Sequence, residues 1–376
     1  MRHTQRDKPV LSPSKSLNYA SPSVCHKDSD GEPKQLSYDD MVTYDNLRIA
    51  YFQTIQGKQH RYRVQNFKRN FVSELKQLYK ELKTRSYHVS APRTFNIWCT
   101  AGQKVRRISA PTFRDLVVQR LIYNYVYYTF DKGFIFDSYG CRKNKGAERA
   151  ADRTQDFIRH SPEDSYYLQI DIRRYYYNIR KDVLRQSLER KIQDQEIVNL
   201  LLMFMHDVGV DVGSIVAQLF GLIYLDRFDH YIKRNLKIKH YIRYVDDMVF
   251  IGLSQQECYF LLNLCIGFLN DNLGLTLSKW KIQSLHRAIN FCGYRTNRYY
   301  RLIRKRSLKT FNRALAHQDY AAIESVLAHT EHSASYNFLM KKLQPLFKIL
   351  PKHLKRRIHK WQSIHSSQQK EPTDTA

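Results

Sequence analysis

The run His240-Tyr241-Ile242-Arg243-Tyr244-Val245-Asp246-Asp247-Met248-Val249-Phe250-Ile251 sets β-rich apolar segments on either side of adjacent aspartates. The pattern predicts a hairpin with unusual turn chemistry. A tight two-residue turn favours Asn-Gly or Asp-Gly, because both central residues need positive φ. Two ionised carboxylates projecting from an apolar hairpin also repel each other, and local rules are broken this openly mainly at functional sites. Taken alone, the doublet has two readings. It is an exposed acidic turn, or it is a ligand pair for divalent cations, which collect carboxylate oxygens and relieve the repulsion.

A third carboxylate narrows the choice. Tyr166-Tyr167-Leu168-Gln169-Ile170-Asp171-Ile172 reads as a strand with an aspartate near its end. Such a group is costly if buried without a partner and cheap if it shares a metal. Antiparallel strands separated by a long helical excursion can lie side by side, which would bring Asp171 to the doublet. Phosphoryl transfer from a nucleoside triphosphate to a hydroxyl needs two cations about 4 Å apart, one at the attacking oxygen and one at the leaving pyrophosphate. In that arrangement Asp171 and Asp246 bridge both ions and Asp247 is a secondary ligand. The carbonyl of Ile172 completes the triphosphate-side ion. Two Mg²⁺ ions are the expected cofactor, with Mn²⁺ as a substitute.

Charge points to the partner. The chain carries 62 Lys and Arg against 35 Asp and Glu, a formal net charge of +27, with 27 Tyr and 19 Phe interleaved among the basic residues. Cations track phosphates and aromatic faces stack on bases, so a nucleic acid is expected. No apolar run reaches the length of a membrane span, and no signal-type segment follows Met1-Arg2-His3-Thr4-Gln5-Arg6. The six Cys form no C-x-x-C pair, so a reducing, cytoplasmic setting is expected rather than a disulfide or zinc framework.

Along the chain, residues 1–36 read as a flexible basic tail. Val64, Phe67, Phe71, Leu75, Leu78 and Leu82 predict one amphipathic helix. A strand from Phe95 and a basic limb Gly102–Ile108 follow, then a long helix opened by Pro111-Thr112. The loop Phe136–Gly146 carries Arg142, Lys143 and Lys145. With the basic limb it is a candidate triphosphate cradle, although a solvated basic loop fits the same residues. Asp182 reads as the N-cap of a helix running through Ile192. An apolar helix begins at Ile215, a helix spans about Ser254–Leu273, a strand lies at Leu275–Leu277, and Phe291–Arg295 starts another hairpin. From Arg301 the chain is expected to be helical and basic, and 365–376 is a short polar tail.

These motifs together resemble the reverse transcriptases. Tyr244-Val245-Asp246-Asp247 is similar to their YxDD box, and Asp171 with Tyr175-Tyr176 to their first palm motif. Lys104-x-Arg106 with Ile108 and Arg114-Asp115 resembles the fingers motif. Ser138-Tyr139-Gly140-Cys141-Arg142-x-x-x-Gly146 resembles a loop of the bacterial members. Leu273–Lys281 and Asn290-Phe291-Cys292-Gly293-Tyr294 resemble the later palm motif and the primer grip. The resemblance implies an α+β right-hand polymerase fold. The N-terminal region and fingers take 37–165, a ferredoxin-like palm 166–298 and a basic helical thumb 299–364. It implies that Lys104, Arg106 and Arg142 hold the triphosphate and that Gln218 lies near the templating pair. Tyr176, or else Tyr175, is the steric gate against ribose. Lys281, or Lys279, protonates pyrophosphate, and Phe291, Gly293 and Tyr294 form the primer grip.

Val212-Gly213-Ser214-Ile215-Val216-Ala217-Gln218 is similar to the pattern of the diversity-generating retroelement type. Ala217 stands where that pattern has Ser, which keeps the related reverse transcriptases of antiphage defence in view. His329-Thr330-Glu331-His332-Ser333-Ala334-Ser335-Tyr336 also resembles the diversity-generating thumb. The implied partners are an RNA template, a DNA or RNA primer, dNTPs and a structured non-coding RNA, with an accessory protein or a second copy possible. Group II intron maturation is less favoured, since no H-N-H zinc pattern or appended endonuclease is seen. The competing class is a non-catalytic RNA-binding scaffold, against which the intact Asp171, Asp246 and Asp247 argue.

Overall fold

The computed structural model describes residues 36–99 and 104–359. Both expected tails, apart from Leu36, lie outside the described residues, as do Gly102 and Gln103 of the basic limb. In chain order the elements are α1 (Tyr38–Met41), α2 (Tyr44–Ile55), α3 (Tyr62–Arg69), α4 (Phe71–Lys83), β1 (Arg93–Cys99), β2 (Lys104–Ala110), α5 (Phe113–Asp131) and α6 (Ala147–Arg159). Then come β3 (Tyr166–Ile172), a 3₁₀ turn (Tyr175–Asn178), α7 (Lys181–Glu189), α8 (Gln195–Leu202), α9 (Ile215–Tyr224), α10 (Asp226–His230) and a π turn (Tyr231–Asn235). β4 (Tyr241–Tyr244), β5 (Asp247–Leu253), α11 (Gln255–Leu273), β6 (Leu277–Ser284), β7 (Ile289–Phe291), β8 (Tyr294–Thr296) and β9 (Arg301–Ile303) follow. The chain closes with α12 (Lys305–Ala316), α13 (Tyr320–Thr330), α14 (Tyr336–Leu343), a 3₁₀ turn (Gln344–Ile349) and α15 (352–359).

The described residues form two compact units. The first runs to Tyr128 and includes Ile192–Met203 and Ser214–Val216; the second holds Thr129–Lys191, Phe204–Gly213 and the chain from Ala217. In the first unit, Tyr51, Phe67 and Phe113 pack their rings together at centroid distances of 4.9–6.0 Å. Asp115 is wholly buried there and is satisfied by the Tyr87 hydroxyl at 2.6 Å and the Thr112 hydroxyl at 2.7 Å. β1 and β2 pair antiparallel, with Phe95 opposite Ile108 and Ile97 opposite Arg106.

The second unit is organised by a four-stranded sheet in the order β4-β5-β3-β6, all neighbours antiparallel. The two-residue period of β3 decides what each face does. Leu168, Ile170 and Ile172 are buried toward one face, on which α11 packs, while Gln169 and Asp171 lie on the other. Each buried aliphatic side chain contributes about 1.5–3 kcal/mol. Farther along that second face the sheet is again apolar, and Tyr167, Val249 and Ile251 bury against Phe157 and Ile158 of α6 and Phe291 of β7. The aspartates therefore sit at the open end of a face whose other end is core. α11 is fixed by a capping box between Ser254 and Glu257 and ends at Gly274 in the left-handed conformation. Helices α12–α15 close over a separate core that includes Phe311, Leu327, Leu339 and Leu354. Truncating the wholly buried Leu339 to Ala would cost about 2–5 kcal/mol.

Several expectations are corrected. The Val64–Leu82 pattern is two helices, because Asn70 leaves helical geometry (φ −115°, ψ 29°) and the chain turns between α3 and α4. Asp182 lies in the first turn of α7 and pairs with Arg180, the actual cap position, and α7 stops at Glu189, before Ile192. The predicted strand at Leu275–Leu277 instead begins at Leu277 and runs through Lys279-Trp280-Lys281. Arg301–Ile303 is a strand that completes a small sheet with β7 and β8, so the helices begin at Lys305.

Candidate active site

The sheet register brings the predicted carboxylates together. Asp171 and Asp247 are directly opposed across β3 and β5, and the amide of Ile172 donates to the Asp246 carbonyl at 3.3 Å. The turn itself is Val245-Asp246, with Tyr244 paired to Asp247 on either side. Its left-handed residue is Val245 at φ 59°, a β-branched residue where a tight turn favours Gly. The aspartate doublet thus straddles the turn: Asp246 is in it and Asp247 begins the strand.

Asp247 Oδ1 accepts from Gln169 Nε2 at 2.8 Å. Burial pushes the Asp247 carboxyl up to about 7, Gln169 opposes that shift, and the nearby Asp171 and Asp246 charges add to it. Asp171 accepts from the Ser278 hydroxyl, and its Oδ2 lies 3.5 Å from the Lys279 ammonium. Among the described residues no three His, Cys, Asp or Glu groups stand close enough to hold a cation on their own. Asp171 and Asp247, with Asp246 in the adjoining turn, are the groups that would hold a divalent cation, which can bind through one or two carboxylates with water and substrate phosphate completing its shell. The charged form of Asp247, disfavoured chiefly by burial and further by Asp171 and Asp246, would be favoured by a cation beside it.

The other predicted residues divide. Tyr175 is core: it is buried and its hydroxyl donates to the Gly221 carbonyl at 2.6 Å. Tyr176 is only partly buried, and its ring lies against Gly221. Lys281 pairs with Gln169 in the register, on the same sheet face as Asp171, with its Nζ 5.6 Å from the Tyr167 ring centroid. Lys279 is the lysine that reaches Asp171. Gln218 is exposed on α9. Phe291 and Tyr294 are buried, and the turn between them is Cys292-Gly293, both at positive φ (49° and 92°). A Cβ on Gly293 would lie 2.8 Å from the His329 ring, which stacks on Tyr294 at 4.4 Å. Lys104 and Arg106 lie in β2, in the other compact unit.

Arg142 departs from expectation. Its guanidinium donates to Asp131 Oδ1 at 2.7 Å and to the carbonyls of Ile135, Ser138 and Asp131 at 2.7, 3.1 and 3.2 Å. Its side chain is 8% exposed. These bonds tie the loop to the end of α5, so in this structure Arg142 is engaged in shaping the loop.

Sequence reasoning missed four contributors. Ser278 is hidden because the β-like string Leu275-Thr276-Leu277 ends one residue before it, whereas β6 runs Leu277–Ser284. Gln169 is legible as the residue two before Asp171, hence on the same face. Arg243 and Asp229 form a wholly buried ion pair; a lone arginine in an apolar strand is the signal that a buried partner exists.

Residues 100–296 match the family model described as reverse transcriptase (RNA-dependent DNA polymerase). Curated relatives include the putative COX1/OXI3 intron 2 protein of Saccharomyces cerevisiae, 21% identical, covering 62% of this chain and 36% of that protein. Protein YkfC of Escherichia coli is 24% identical, covering 62% of this chain and 72% of that protein. The chain therefore spans about a third of the yeast relative's length. A solved apo telomerase from Candida tropicalis is similar with a TM-score of 0.51 at 11% identity, covering 74% of this chain and 62% of that one. This likeness concerns the fold, a right-hand polymerase arrangement of mixed helix and sheet. The family match takes in more than half of the 376 residues and contains every carboxylate of the site, and on that basis the chain belongs to the reverse transcriptase family.

Proposed function

We propose that the chain is an RNA-directed DNA polymerase that extends a DNA or RNA primer with dNTPs on an RNA template. The observation that carries this reading is the opposition of Asp171 and Asp247 beside Asp246, at the open end of one sheet face. Asp171, Asp246 and the Ile172 carbonyl would hold two Mg²⁺ ions, with Asp247 as secondary ligand. Bound there, the ions supply charge stabilisation for the attacking hydroxyl and the leaving pyrophosphate. Tyr176 would exclude a ribose 2′-hydroxyl, since Tyr175 is committed to Gly221. Lys279 or Lys281 would deliver a proton to pyrophosphate. Burial lowers the Lys281 pKa, which eases proton release. In this reading 37–165 supplies the fingers, 166–298 the palm and 299–364 the thumb, and Lys104 and Arg106 keep the triphosphate-binding role that the resemblance implies. Primer extension on an RNA template with dNTPs and Mg²⁺ tests it. Wild-type incorporation that Asp246→Asn abolishes supports it, and incorporation undiminished by that change refutes the two-ion assignment.

The finer reading is a reverse transcriptase of diversity-generating retroelement type, acting on a cognate structured RNA in the cytoplasm with an accessory protein or a second copy. Val212 and Gln218 support it, since an aliphatic residue in place of a polar one near the template would loosen base selection. Ala217, which departs from that pattern, leaves room for a second reading, an antiphage-defence reverse transcriptase with a dedicated cDNA product. Sequencing the nucleic acid that co-purifies with the protein separates them. A variable-repeat template indicates diversification; a short repetitive or hairpin product indicates defence.

A further inference from the structure

Under the Val245-Asp246 turn lies an ion pair that the two-ion scheme does not use. Arg243, in β4, is 0% exposed, as is Asp229 of α10. The Arg243 Nε and Nη2 reach the Asp229 carboxylate at 2.5–2.9 Å, and the Tyr241 hydroxyl also donates to it at 2.7 Å. The remaining arm, Nη1, turns the other way and donates to the Val245 carbonyl at 3.0 Å. The Phe136–Gly146 loop also clamps the same strand. The Arg243 amide donates to Asp137 O and the Arg243 carbonyl accepts from the Tyr139 amide, both at 2.9 Å. Gly140 lies so close that a Cβ there would stand 2.7 Å from the Val245 nitrogen.

A β-branched residue at φ 59° persists only where its surroundings over-determine it. Here two independent contacts do so, one charged and one steric. We propose that Arg243 is a positioning residue: charge-balanced by Asp229, it grips the Val245 carbonyl and thereby sets Asp246 and Asp247 for catalysis. A guanidinium suits the task because its rigid fork serves the carboxylate and the carbonyl at once, which a single ammonium cannot. The inference rests on the polymerase reading above.

A purely structural ion pair makes a different prediction from a positioning one. Replacing a buried pair with apolar residues of similar size often restores or raises stability. The Arg243→Met/Asp229→Leu double variant would therefore fold while lacking the Val245 contact. With oligo(dT) on poly(rA), dTTP and Mg²⁺, we expect its single-turnover rate to fall about 10- to 100-fold, as small misplacements of reacting groups do. Primer-template affinity and KM for dTTP should stay within about twofold of wild type, and more Mg²⁺ should be needed for half-maximal rate. Recovery of the wild-type rate together with stability would overturn the proposal. If the double variant does not fold, Arg243→Lys decides, because an ammonium can pair with Asp229 but cannot also hold the Val245 carbonyl. A rate loss with unchanged KM supports the proposal, and a wild-type rate refutes it. Failure of the wild-type chain itself to incorporate dTTP would fall on the polymerase reading instead.

Discussion

Asp171 and Asp247 face each other as directly paired positions of β3 and β5, and the peptide of Asp246 is tied back to the amide after Asp171. The three carboxylates therefore belong to one sheet end and its tight hairpin turn rather than to separate loops. Asp171→Asn and Asp246→Asn should each lower nucleotide incorporation by at least on the order of 10²–10³-fold. Far-ultraviolet circular dichroism and primer-template affinity should match wild type. Incorporation within tenfold of wild type for either variant would remove that aspartate from the assignment.

The raised Asp247 carboxyl makes stability depend on pH and metal together. Below about pH 4 the group is protonated in both folded and unfolded chains and imposes no penalty. As pH rises from 4 toward 7 the unfolded chain releases its proton while the folded one retains it, so metal-free stability falls across that window. Mg²⁺ should then raise the melting temperature by a few degrees more at pH 8 than at pH 5. Asp247→Asn should flatten the metal-free profile. Thermal melts at both pH values check this, and a Mg²⁺ effect independent of pH would contradict it.

Tyr176 and Tyr175 should separate cleanly. Tyr176→Ala is expected to improve rNTP use relative to dNTP on the order of 10- to 100-fold in kcat/KM. Tyr175→Phe loses only the bond to the Gly221 carbonyl, about 1 kcal/mol of stability, with unchanged sugar discrimination. Competitive incorporation of dTTP and UTP distinguishes the two, and the assignment fails if Tyr175→Phe is the variant that admits UTP.

For Arg142 the expected loss is in the fold. Arg142→Ala removes a mostly buried guanidinium from Asp131 and three carbonyls and should cost about 2 kcal/mol in chemical denaturation. KM for dTTP should change less than about threefold. A large rise in KM without loss of stability would restore the triphosphate role that the loop's basic character suggests.

Much of this site is legible in the chain because strand periodicity is simple. An apolar run with an aspartate at Asp171, and another beginning at Asp247, need only a register to meet, and the sheet supplies it. What escapes is set by tertiary geometry. No local signal says that Arg142 turns inward to carbonyls while Lys145 lies over the Phe136 ring. Both read as basic loop residues. The break at Asn70 is similarly hidden, since the apolar spacing continues through it and only the backbone leaves the helix. The β6 register slipped because Leu275-Thr276-Leu277 is the more β-like string, yet Leu275 is drawn into the core by the helix end at Gly274, and pairing starts at Leu277.

The wholly buried Arg243–Asp229 pair also bears on how the molecule is assembled. Either charge desolvated alone would be penalised by several kcal/mol, so strand β4 and helix α10 must enter the interior as one cooperative event. The strand that acquires its counter-charge in that event is the one that leads into the aspartate turn. A partly folded chain, such as one still emerging during synthesis, would accordingly lack a formed aspartate turn until the surrounding interior has closed.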